Sequence, residues 1–284
     1  MGVKTVVITG ASGYIASQLL PALAERYDLR LLDVRNTDSD GNEVAGIEIV
    51  RLEDPDLEAY REHFRGADGV VHLAYNKGGV QRFQGRGYEQ ERVNLDMAQH
   101  VYQLAMEEAV KRVVVASSNH AADWYEHQLR SRELEMLGPE APRLSDNWYG
   151  WAKAAYELMG FMYATGSQGS PVENVQMRIG APRPIRWADF GPEEITGYKR
   201  DLGAYISPRD LCQLCVKSLE TDDIRDEHGI PFQAFYGVSD NTRAFWSLEN
   251  ARKVIGYRPE DDSEVRFADE IRAALIETGS TGRL

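Results

Sequence analysis

Short apolar runs and longer segments with a helical period alternate along the first 180 residues of the chain. The apolar runs are rich in β-branched residues and predict buried strands near residues 3–8, 29–33, 47–50, 69–73, 112–117 and 172–178. Segments with apolar residues every three or four positions predict helices near residues 14–25, 56–63, 89–109 and 148–165. Strands that alternate with helices in this way predict an α/β fold of the Rossmann type, with a doubly wound parallel sheet.

The alternation stops near residue 180, where prolines and glycines become frequent. Helices are then predicted near 207–219, 247–255 and 264–277, and a strand near 232–237. We therefore expect a Rossmann domain of residues 1–180 and a small C-terminal lobe of residues 181–284, packed together as one unit because no linker separates them. Residues 278–284 are expected to form a frayed tail.

A glycine-rich turn joins the first predicted strand to the first predicted helix. Gly10 permits the tight turn, Gly13 lets the backbone approach a diphosphate, and Ala16 is small enough for the helix to pack closely on the strand. The amide groups at the start of the helix, with its dipole, favour a bound diphosphate. The turn could be only a tight connection, but its place between a strand and a helix favours a dinucleotide site.

Asp33 ends the second predicted strand, about twenty residues after the glycines. A carboxylate at this position accepts hydrogen bonds from an adenosine ribose and repels a 2′-phosphate, so it favours NAD over NADP. Arg35 leaves NADP open, because its guanidinium could reach a 2′-phosphate or stack on adenine. A strand-ending aspartate beside a solvated arginine is the alternative interpretation.

Hydroxyl and amide side chains end the strand predicted at residues 112–117. Ser117, Ser118, Asn119 and His120 follow its apolar part, and ligands of an open parallel sheet bind at the carboxyl ends of the strands. A serine there can bind a substrate oxygen and share the reacting proton. These side chains could instead cap the next turn, but the glycine turn on the same chain favours a site. Either serine could face the substrate.

Tyr149 and Lys153 are four residues apart in a predicted helix, which places both side chains on one face. A tyrosine hydroxyl titrates near pH ~10, so it acts as a base at neutral pH only where a positive charge stabilises the phenolate. Lys153 could supply that charge. The pair alone could be a packed tyrosine beside a solvated lysine, but with the glycine turn and the serines it predicts a proton-transfer site beside a bound dinucleotide.

These motifs together resemble the extended short-chain dehydrogenase/reductase superfamily, the fold group of NAD-dependent epimerases and dehydratases, over most of the chain. Four segments resemble the uronate dehydrogenases of that superfamily, namely residues 116–120, 148–153, 178–180 and 236–242. The resemblance implies an NAD-dependent oxidoreductase that oxidises the C1 hydroxyl of an anionic sugar, with a hexuronic acid and its aldarolactone as substrate and product. It also implies that residues 1–180 bind NAD and residues 181–284 bind the substrate.

The resemblance implies roles for individual residues. Tyr149 is similar to the catalytic base, Lys153 to its phenolate-stabilising and ribose-binding partner, and Ser118 to a hydroxyl-binding serine. Arg200 matches an arginine that grips the sugar carboxylate, although it could be a solvated arginine in a charged loop. The implied substrate-binding residues are Asn76, Ser118, Asn119, His120, Tyr149 and Arg200. The implied cofactor-binding residues are Gly10, Ser12, Gly13, Tyr14, Ile15, Asp33, Val34, Leu52, Glu53, Leu73, Ala74, Asn94, Ala116, Tyr149, Lys153 and Ile179.

Two segments depart from the uronate dehydrogenases. The segment from residue 178 to residue 200 looks longer, and the loop at residues 75–79 is bulkier and more basic. Lys77, Arg183 or Arg186 could equally bind a sugar phosphate such as glucose 6-phosphate. The same motifs would also suit a sugar-nucleotide epimerase or dehydratase, or a catalytically silent NAD-binding regulator. The short C-terminal part argues against the former, and the intact Tyr149 and Lys153 argue against the latter.

Composition limits the partners. The chain has 284 residues, of which 43% are hydrophobic, enough for a sizeable core. A formal net charge of −13 argues against a nucleic-acid ligand. The chain has no apolar run long enough for a membrane span, and the first strand leaves no room for a signal peptide, so we expect a cytoplasmic protein.

The remaining sequence features have ordinary structural interpretations. The only two cysteines, Cys212 and Cys215, are interpreted as core residues on one helix face, and no metal site is expected because no histidines cluster near them. A second set of apolar residues could form the stripe of a homodimer, although core packing is the other interpretation. This set comprises Val93, Met97, Val101 and Leu104, extended by Tyr156, Met159 and Tyr163.

Overall fold

The computed structural model of the protein describes residues 4–78 and 87–284. In these residues seven strands form one sheet in the order β3-β2-β1-β4-β5-β6-β7, and each neighbouring pair is parallel. The strands are β1 (Lys4–Thr9), β2 (Tyr27–Asp33), β3 (Ile47–Ile49), β4 (Gly69–His72), β5 (Arg112–Ser118), β6 (Glu173–Ile179) and β7 (Phe232–Gly237). The predicted doubly wound Rossmann-type fold is confirmed.

Helices cover both faces of the sheet. Helices α1 and α6 pack together on one face, and α2 and α4 pack together on the other. The described α-helices are α1 (Tyr14–Ala24), α2 (Tyr88–Glu107), α3 (Glu126–Arg130), α4 (Trp148–Ala164), α5 (Ile195–Ala204), α6 (Pro208–Glu220), α7 (Glu249–Val254), α8 (Ser263–Arg266) and α9 (Ala268–Thr278).

Each face of the sheet carries its own apolar core, because successive strand residues point to opposite faces. Ile8 of β1 packs in one core with Leu19 of α1 and Leu214 of α6. Its neighbour Val7 packs in the other core with Val101 of α2. The strands are therefore buried on both sides, which explains why they are nearly continuous apolar runs rather than alternating ones.

Two helix predictions need correction. Residues 56–63 form two short 3-10 turns, Leu57–Ala59 and Arg61–His63, instead of one α-helix. The backbone of Tyr60 between them, at φ −141° and ψ 6°, is not helical. Residues 264–277 form α8 and α9, which are separated at Phe267 by φ −120° and ψ 28°.

The C-terminal part is joined to the same sheet. Strand β7 pairs with β6 over six residues, so the sheet and one of its cores include both residues 1–180 and residues 181–284. Helix α5 was missed in a segment predicted as loops. Gly197 and Gly203 lower its helix propensity, while burial of Tyr198 and Leu202, one turn apart, stabilises it.

The C-terminal tail is held by two buried cations, so the prediction that it is frayed is wrong. Lys199 Nζ donates hydrogen bonds to Ser280 Oγ at 2.9 Å and to the Thr281 carbonyl at 2.7 Å. Arg243 Nη1 donates to the Gly282 carbonyl at 2.7 Å. These charge-assisted bonds offset the entropy that a free terminus would keep.

The apolar stripe considered for a homodimer lies in the core instead. Met97, Val101 and Leu104 are buried on the side of α2 that faces the sheet, and Tyr156 and Tyr163 of α4 are buried with them. The core interpretation is confirmed for these five residues, whereas Val93 and Met159 are partly exposed. The homodimer stays a prediction.

The two cysteines also have the packing that was predicted. Cys215 is fully buried, Cys212 packs partly buried against the same core, and both thiols are free. Within residues 4–78 and 87–284, no three histidine, cysteine or acidic side chains group in a way that could hold a metal ion. In the same residues, no helix combines the length and hydropathy needed to cross a lipid bilayer.

Candidate active site

The glycine turn after β1 lies against the end of β4. Gly10 has φ +72°, and a Cβ atom on it would be 2.6 Å from the backbone nitrogen of Ala74, so only glycine fits there. The amides of Gly10 and Ala11 both donate to the carbonyl of Leu32, which fastens the turn to β2. Gly13 is the N-cap of α1, and no side-chain hydrogen bond caps this helix. The first amides of α1 are thus available to an anion.

Asp33 connects this turn to the end of β2. Its Oδ2 accepts hydrogen bonds from the backbone amide and the hydroxyl of Ser12, both at 2.9 Å. Its Oδ1 accepts one from the amide of Val34 at 2.7 Å. Arg35 Nε donates to the Ser12 hydroxyl at 3.3 Å. The carboxylate that favours NAD is therefore oriented by the glycine turn itself.

Most of the other predicted cofactor residues fall into three groups. Leu73, Ala74, Ala116 and Ile179 lie near the carboxyl ends of β4, β5 and β6, and the backbone of Leu73 and Ala74 lies against Gly10. Residues 52 and 53 follow β3 but have other contacts: the side chain of Leu52 is in the core, and Glu53 pairs with Arg51 at 3.2 Å. Tyr14, Ile15 and Val34 are at least partly exposed beside the turn.

Asn94 of α2 is buried and holds the loop that follows β4. Its Oδ1 accepts from the amide of Asn76 at 2.7 Å, and its Nδ2 donates to the carbonyl of Asn76 at 3.1 Å. In the same loop, the Tyr75 hydroxyl donates to Oε1 of the buried Glu91 at 2.8 Å. Gly79, the last residue of the basic loop noted in the sequence, lies outside the described residues.

Tyr149 and Lys153 project from the first two turns of α4. Asn147 caps this helix, because its Oδ1 accepts from the amide of Gly150 at 2.9 Å. Lys153 is buried and its Nζ donates to the carbonyl of Ala116 in β5 at 2.8 Å. The same Nζ is 5.8 Å from the ring centroid of Tyr149. The helix thus brings the predicted pair to the carboxyl end of β5.

Ser118 lies near the predicted sugar-binding residues. Its hydroxyl accepts from the amide of His120 at 3.3 Å and donates to Asn119 Oδ1 at 3.3 Å. Asn119 is 1% exposed, and its Nδ2 has no hydrogen-bond partner among the described residues. An unsatisfied buried donor costs about 1–3 kcal/mol, so an oxygen of a bound ligand would stabilise this side chain.

His120 connects the site to an acidic side chain that the sequence reasoning missed. Its ring packs edge-on against the ring of Tyr149, with 5.6 Å between centroids. Its Nδ1 is 2.6 Å from Asp123 Oδ2, and Asn147 Nδ2 donates to the same oxygen at 2.9 Å. Asp123 therefore orients His120 and the cap of α4 together. The spacing of three residues between His120 and Asp123 was the signal in the sequence that could have indicated this contact.

A buried ion-pair network under α4 was also missed. Glu157 is fully buried, and its two oxygens accept from Nε and Nη2 of Arg178, both at 2.8 Å, and from Arg143 Nε at 2.6 Å. Burial raises the pKa of Glu157, but the Arg178 and Arg143 guanidiniums outweigh it and hold the pKa below its usual range. The four-residue spacing from Lys153 could have indicated Glu157.

His72 is a buried neutral residue beside the glycine turn. Its Nδ1 is 2.8 Å from the hydroxyl of Thr9 at the end of β1. Burial, with a smaller contribution from the charge of Lys153, lowers its pKa to about 3. The strand predicted at residues 69–73 includes His72, and no role was predicted for it. His72 is therefore uncharged at neutral pH.

Arg200 lies in α5 and is mostly buried, with 11% of its side chain exposed. Nε and Nη2 donate to Glu126 Oε1 at 2.9 and 2.6 Å, and Nη1 donates to Asp201 Oδ1 at 3.2 Å. The guanidinium carbon is 5.1 Å from the ring centroid of Trp246. The interpretation as a solvated arginine in a loop is wrong, since the residue is helical and enclosed.

The family model of the NAD dependent epimerase/dehydratase family matches residues 6–175 of this chain. The chain belongs to this family. The matched residues include the glycine turn, Asp33, Ser118 and the Tyr149–Lys153 pair. The predicted superfamily, fold class, NAD cofactor and oxidoreductase class are confirmed.

Similar proteins match almost the full length. The chain is 32% identical to the NAD-dependent glucose-6-phosphate dehydrogenase of Haloferax volcanii, over 94% of this chain and 97% of that one. It is 29% identical to the uronate dehydrogenase of Pseudomonas syringae pv. tomato, over 92% of this chain and 83% of that one. A solved structure described as a mutated uronate dehydrogenase is 26% identical, with a TM-score of 0.74 over 99% of this chain and 89% of that one. These relatives are named dehydrogenases of a sugar phosphate and of sugar acids.

Proposed function

We propose that the protein oxidises the C1 hydroxyl of a cyclic monosaccharide with NAD and releases the lactone. The observation that carries this proposal is the arrangement at the carboxyl end of β5. Lys153 of α4 donates to the carbonyl of Ala116, and the ring of Tyr149 packs against His120, two residues after Ser118. A base, a cation that stabilises its anion and a hydroxyl that orients the reacting oxygen are the groups that hydroxyl oxidation needs.

The residues of this chain also fit the cofactor. The diphosphate would lie on the uncapped amides of α1, and the adenosine ribose would bind Asp33. Lys153 would contact the ribose next to the nicotinamide. When bound, NAD supplies the acceptor for the hydride that leaves C1.

The proton of the same hydroxyl passes to Tyr149 in this proposal. Ser118 holds the hydroxyl oxygen, and Lys153 stabilises the phenolate of Tyr149 before the transfer. The C1–H bond and the O–H bond both break while the C1–O bond becomes the carbonyl of the lactone. The amide of Asn119 and the ring of His120 bind the remaining hydroxyls of the sugar.

Two sugars have support from resemblance. The expectation of a hexuronic acid rests on the motifs shared with uronate dehydrogenases, on the solved structure and on the position of Arg200. Glucose 6-phosphate is favoured by the relative from Haloferax volcanii, which the chain matches over nearly its whole length. A sugar-nucleotide epimerase or dehydratase has less support, because residues after 180 complete the sheet and core rather than form a large lobe.

A substrate panel tests the proposal. Formation of NADH would be followed with glucuronate, galacturonate, glucose 6-phosphate, glucose, galactose and arabinose, and the lactone would be identified by mass spectrometry. We expect one lactone per NADH with at least one sugar. Absence of turnover with the whole panel, together with tight binding of a UDP-sugar in calorimetry, would support an epimerase or dehydratase instead.

A cytoplasmic location and a homodimer are part of the same proposal. Cell fractionation tests the location, and light scattering coupled to size exclusion measures the mass of the particle against the 32.0 kDa of one chain.

A further inference from the structure

Three carboxylates already surround the guanidinium of Arg200. Glu126 occupies Nε and Nη2, Asp201 contacts Nη1, and Asp123 Oδ1 is 3.8 Å from Nη2. Glu126 and Asp123 belong to the segment after β5, and Asp201 follows Arg200 in α5. The residue expected to grip a sugar carboxylate is thus satisfied by side chains of the protein itself.

We propose that Glu126 is a specificity-determining residue: it keeps a substrate carboxylate off Arg200, so the site prefers an uncharged aldose over the matching hexuronic acid. The inference rests on the proposed oxidation at C1 and adds the class of sugar. It argues against the hexuronate expectation, which needs Arg200 to receive the substrate's anion.

The hydrogen-bonding edge of Arg200 explains the exclusion. A guanidinium binds a carboxylate best through two parallel N–H groups on one edge. In this protein that edge, formed by Nε and Nη2, donates both hydrogen bonds to Glu126, whose side chain is 16% exposed. A substrate carboxylate would have to displace Glu126, which would then lose both hydrogen bonds from Arg200 in a mostly buried position.

The charged side chains near Arg200 also disfavour a substrate carboxylate. Arg130 Nη2 is 3.4 Å from Glu126 Oε2, and Arg183 Nη2 is 2.7 Å from Asp201 Oδ2. Among the described side chains, Glu126 and Asp201 thus each contact two guanidiniums. A substrate carboxylate would bring a further negative charge close to these two carboxylates, whereas a neutral sugar hydroxyl can donate to a carboxylate oxygen.

Arg200 is close enough to the reacting centre for its contacts to affect which sugar binds. The ring of Tyr149 packs on His120, His120 Nδ1 contacts Asp123, and Asp123 faces the Arg200 guanidinium. Two side chains, those of His120 and Asp123, thus separate the Arg200 guanidinium from the proposed base. The guanidinium lies on the side of the residues that would bind the sugar ring.

Matched sugar pairs test the proposal without ambiguity about size. Galactose and galacturonate, and glucose and glucuronate, differ only at C6, so the ratio of their kcat/KM values measures the preference for an uncharged group. We expect the wild-type protein to favour the aldose at least about tenfold. In Glu126→Gln, which removes the charge and keeps the shape, we expect the ratio to shift toward the uronate at least about tenfold.

Asp201→Asn is the matched control, because Asp201 contacts the other edge of the same guanidinium. In Asp201→Asn, the ratio of kcat/KM for the aldose to kcat/KM for the uronate should stay within about threefold of the wild-type ratio. The proposal is overturned if the wild-type protein prefers the uronate, or if Glu126→Gln shifts the ratio no more than Asp201→Asn. If Glu126→Gln does not fold, the aldose-to-uronate ratio of kcat/KM in the wild-type protein still tests the proposed preference. Absence of turnover with both members of each pair would also overturn the proposed preference; the proposed oxidation itself fails only if glucose 6-phosphate and arabinose are inactive as well.

Discussion

Ser117 and Ser118 are neighbours in β5, and their hydroxyls have partners on opposite sides of the strand. Ser117 Oγ donates to the buried carboxylate of Glu157 at 2.8 Å, whereas Ser118 Oγ contacts Asn119 and the amide of His120. The alternation of side chains along a strand accounts for the difference. Ser118 therefore faces the proposed sugar site, and Ser117 belongs to the network that holds α4.

Replacing each serine by alanine should separate the two roles. In Ser118→Ala we expect kcat to fall about 10²-fold or more, because the reacting oxygen loses a hydrogen bond, with little change in unfolding free energy. In Ser117→Ala we expect activity to remain, and the unfolding free energy to fall by about 1–3 kcal/mol, because Glu157 loses a buried partner. Steady-state kinetics and urea unfolding of both variants measure this, and the reverse pattern would contradict the assignment.

Removing the Tyr149 hydroxyl should affect chemistry and not cofactor binding. In Tyr149→Phe we expect kcat to fall by about 10²–10⁴-fold, since the proposed acceptor of the hydroxyl proton is lost, while the Kd of NAD changes less than about threefold. Tyr163→Phe on the same helix is the control, because its hydroxyl contacts Gln99 in the α2 core. NADH formation and titration calorimetry give both quantities, and equal losses in the two variants would count against Tyr149 as the base.

The charge of Asp33 should decide the choice of cofactor. We expect the wild-type protein to use NAD at least about tenfold better than NADP in kcat/KM, because a carboxylate repels the 2′-phosphate. Asp33→Asn should narrow this preference, helped by Arg35, which contacts Ser12 next to it. The exposed Asp40 provides the control Asp40→Asn. If Asp33→Asn left the ratio unchanged, Arg35 rather than Asp33 would govern the choice.

Buried His72 should make folding sensitive to mild acid. Its pKa is about 3 in the folded protein against a usual 6.5, so below pH 6.5 only the unfolded chain takes up the proton. The unfolding free energy should therefore fall by up to about 1.4 kcal/mol per pH unit below pH 6.5, an effect absent above that pH. Urea unfolding between pH 7.5 and pH 5 measures the slope.

The variant His72→Gln removes this titration and should give a shallower slope over the same pH range. His228→Gln is the control, because the side chain of His228 is 78% exposed. Parallel slopes for the wild type and His72→Gln would show that other groups cause the acid sensitivity.

The local motifs were readable from the sequence because each depends on residues close together in the chain. Gly10 and Gly13 shape one turn, and Tyr149 and Lys153 share one helix face by their spacing alone. The apolar runs likewise predicted all seven described strands of the sheet near their observed places.

The missed elements depend on partners that are distant in the chain. Helix α5 contains two glycines and is stabilised by the burial of Tyr198 and Leu202. The tail is ordered because Lys199 and Arg243, about 40 to 80 residues earlier, bind its oxygens. No local pattern reports such contacts, since burial and pairing are properties of the folded chain.

The sequence by itself determined the Rossmann-type sheet, the dinucleotide turn and the pair Tyr149–Lys153, because strand period, turn chemistry and helical spacing are local properties. Only the tertiary structure decided which serine faces the proposed sugar site and which side chains Arg200 contacts. Ser117 turns toward Glu157, 40 residues later, and Arg200 pairs with Glu126, 74 residues earlier. Electrostatic partners across such separations meet only after the chain has packed, and they decide which charges are left for a substrate.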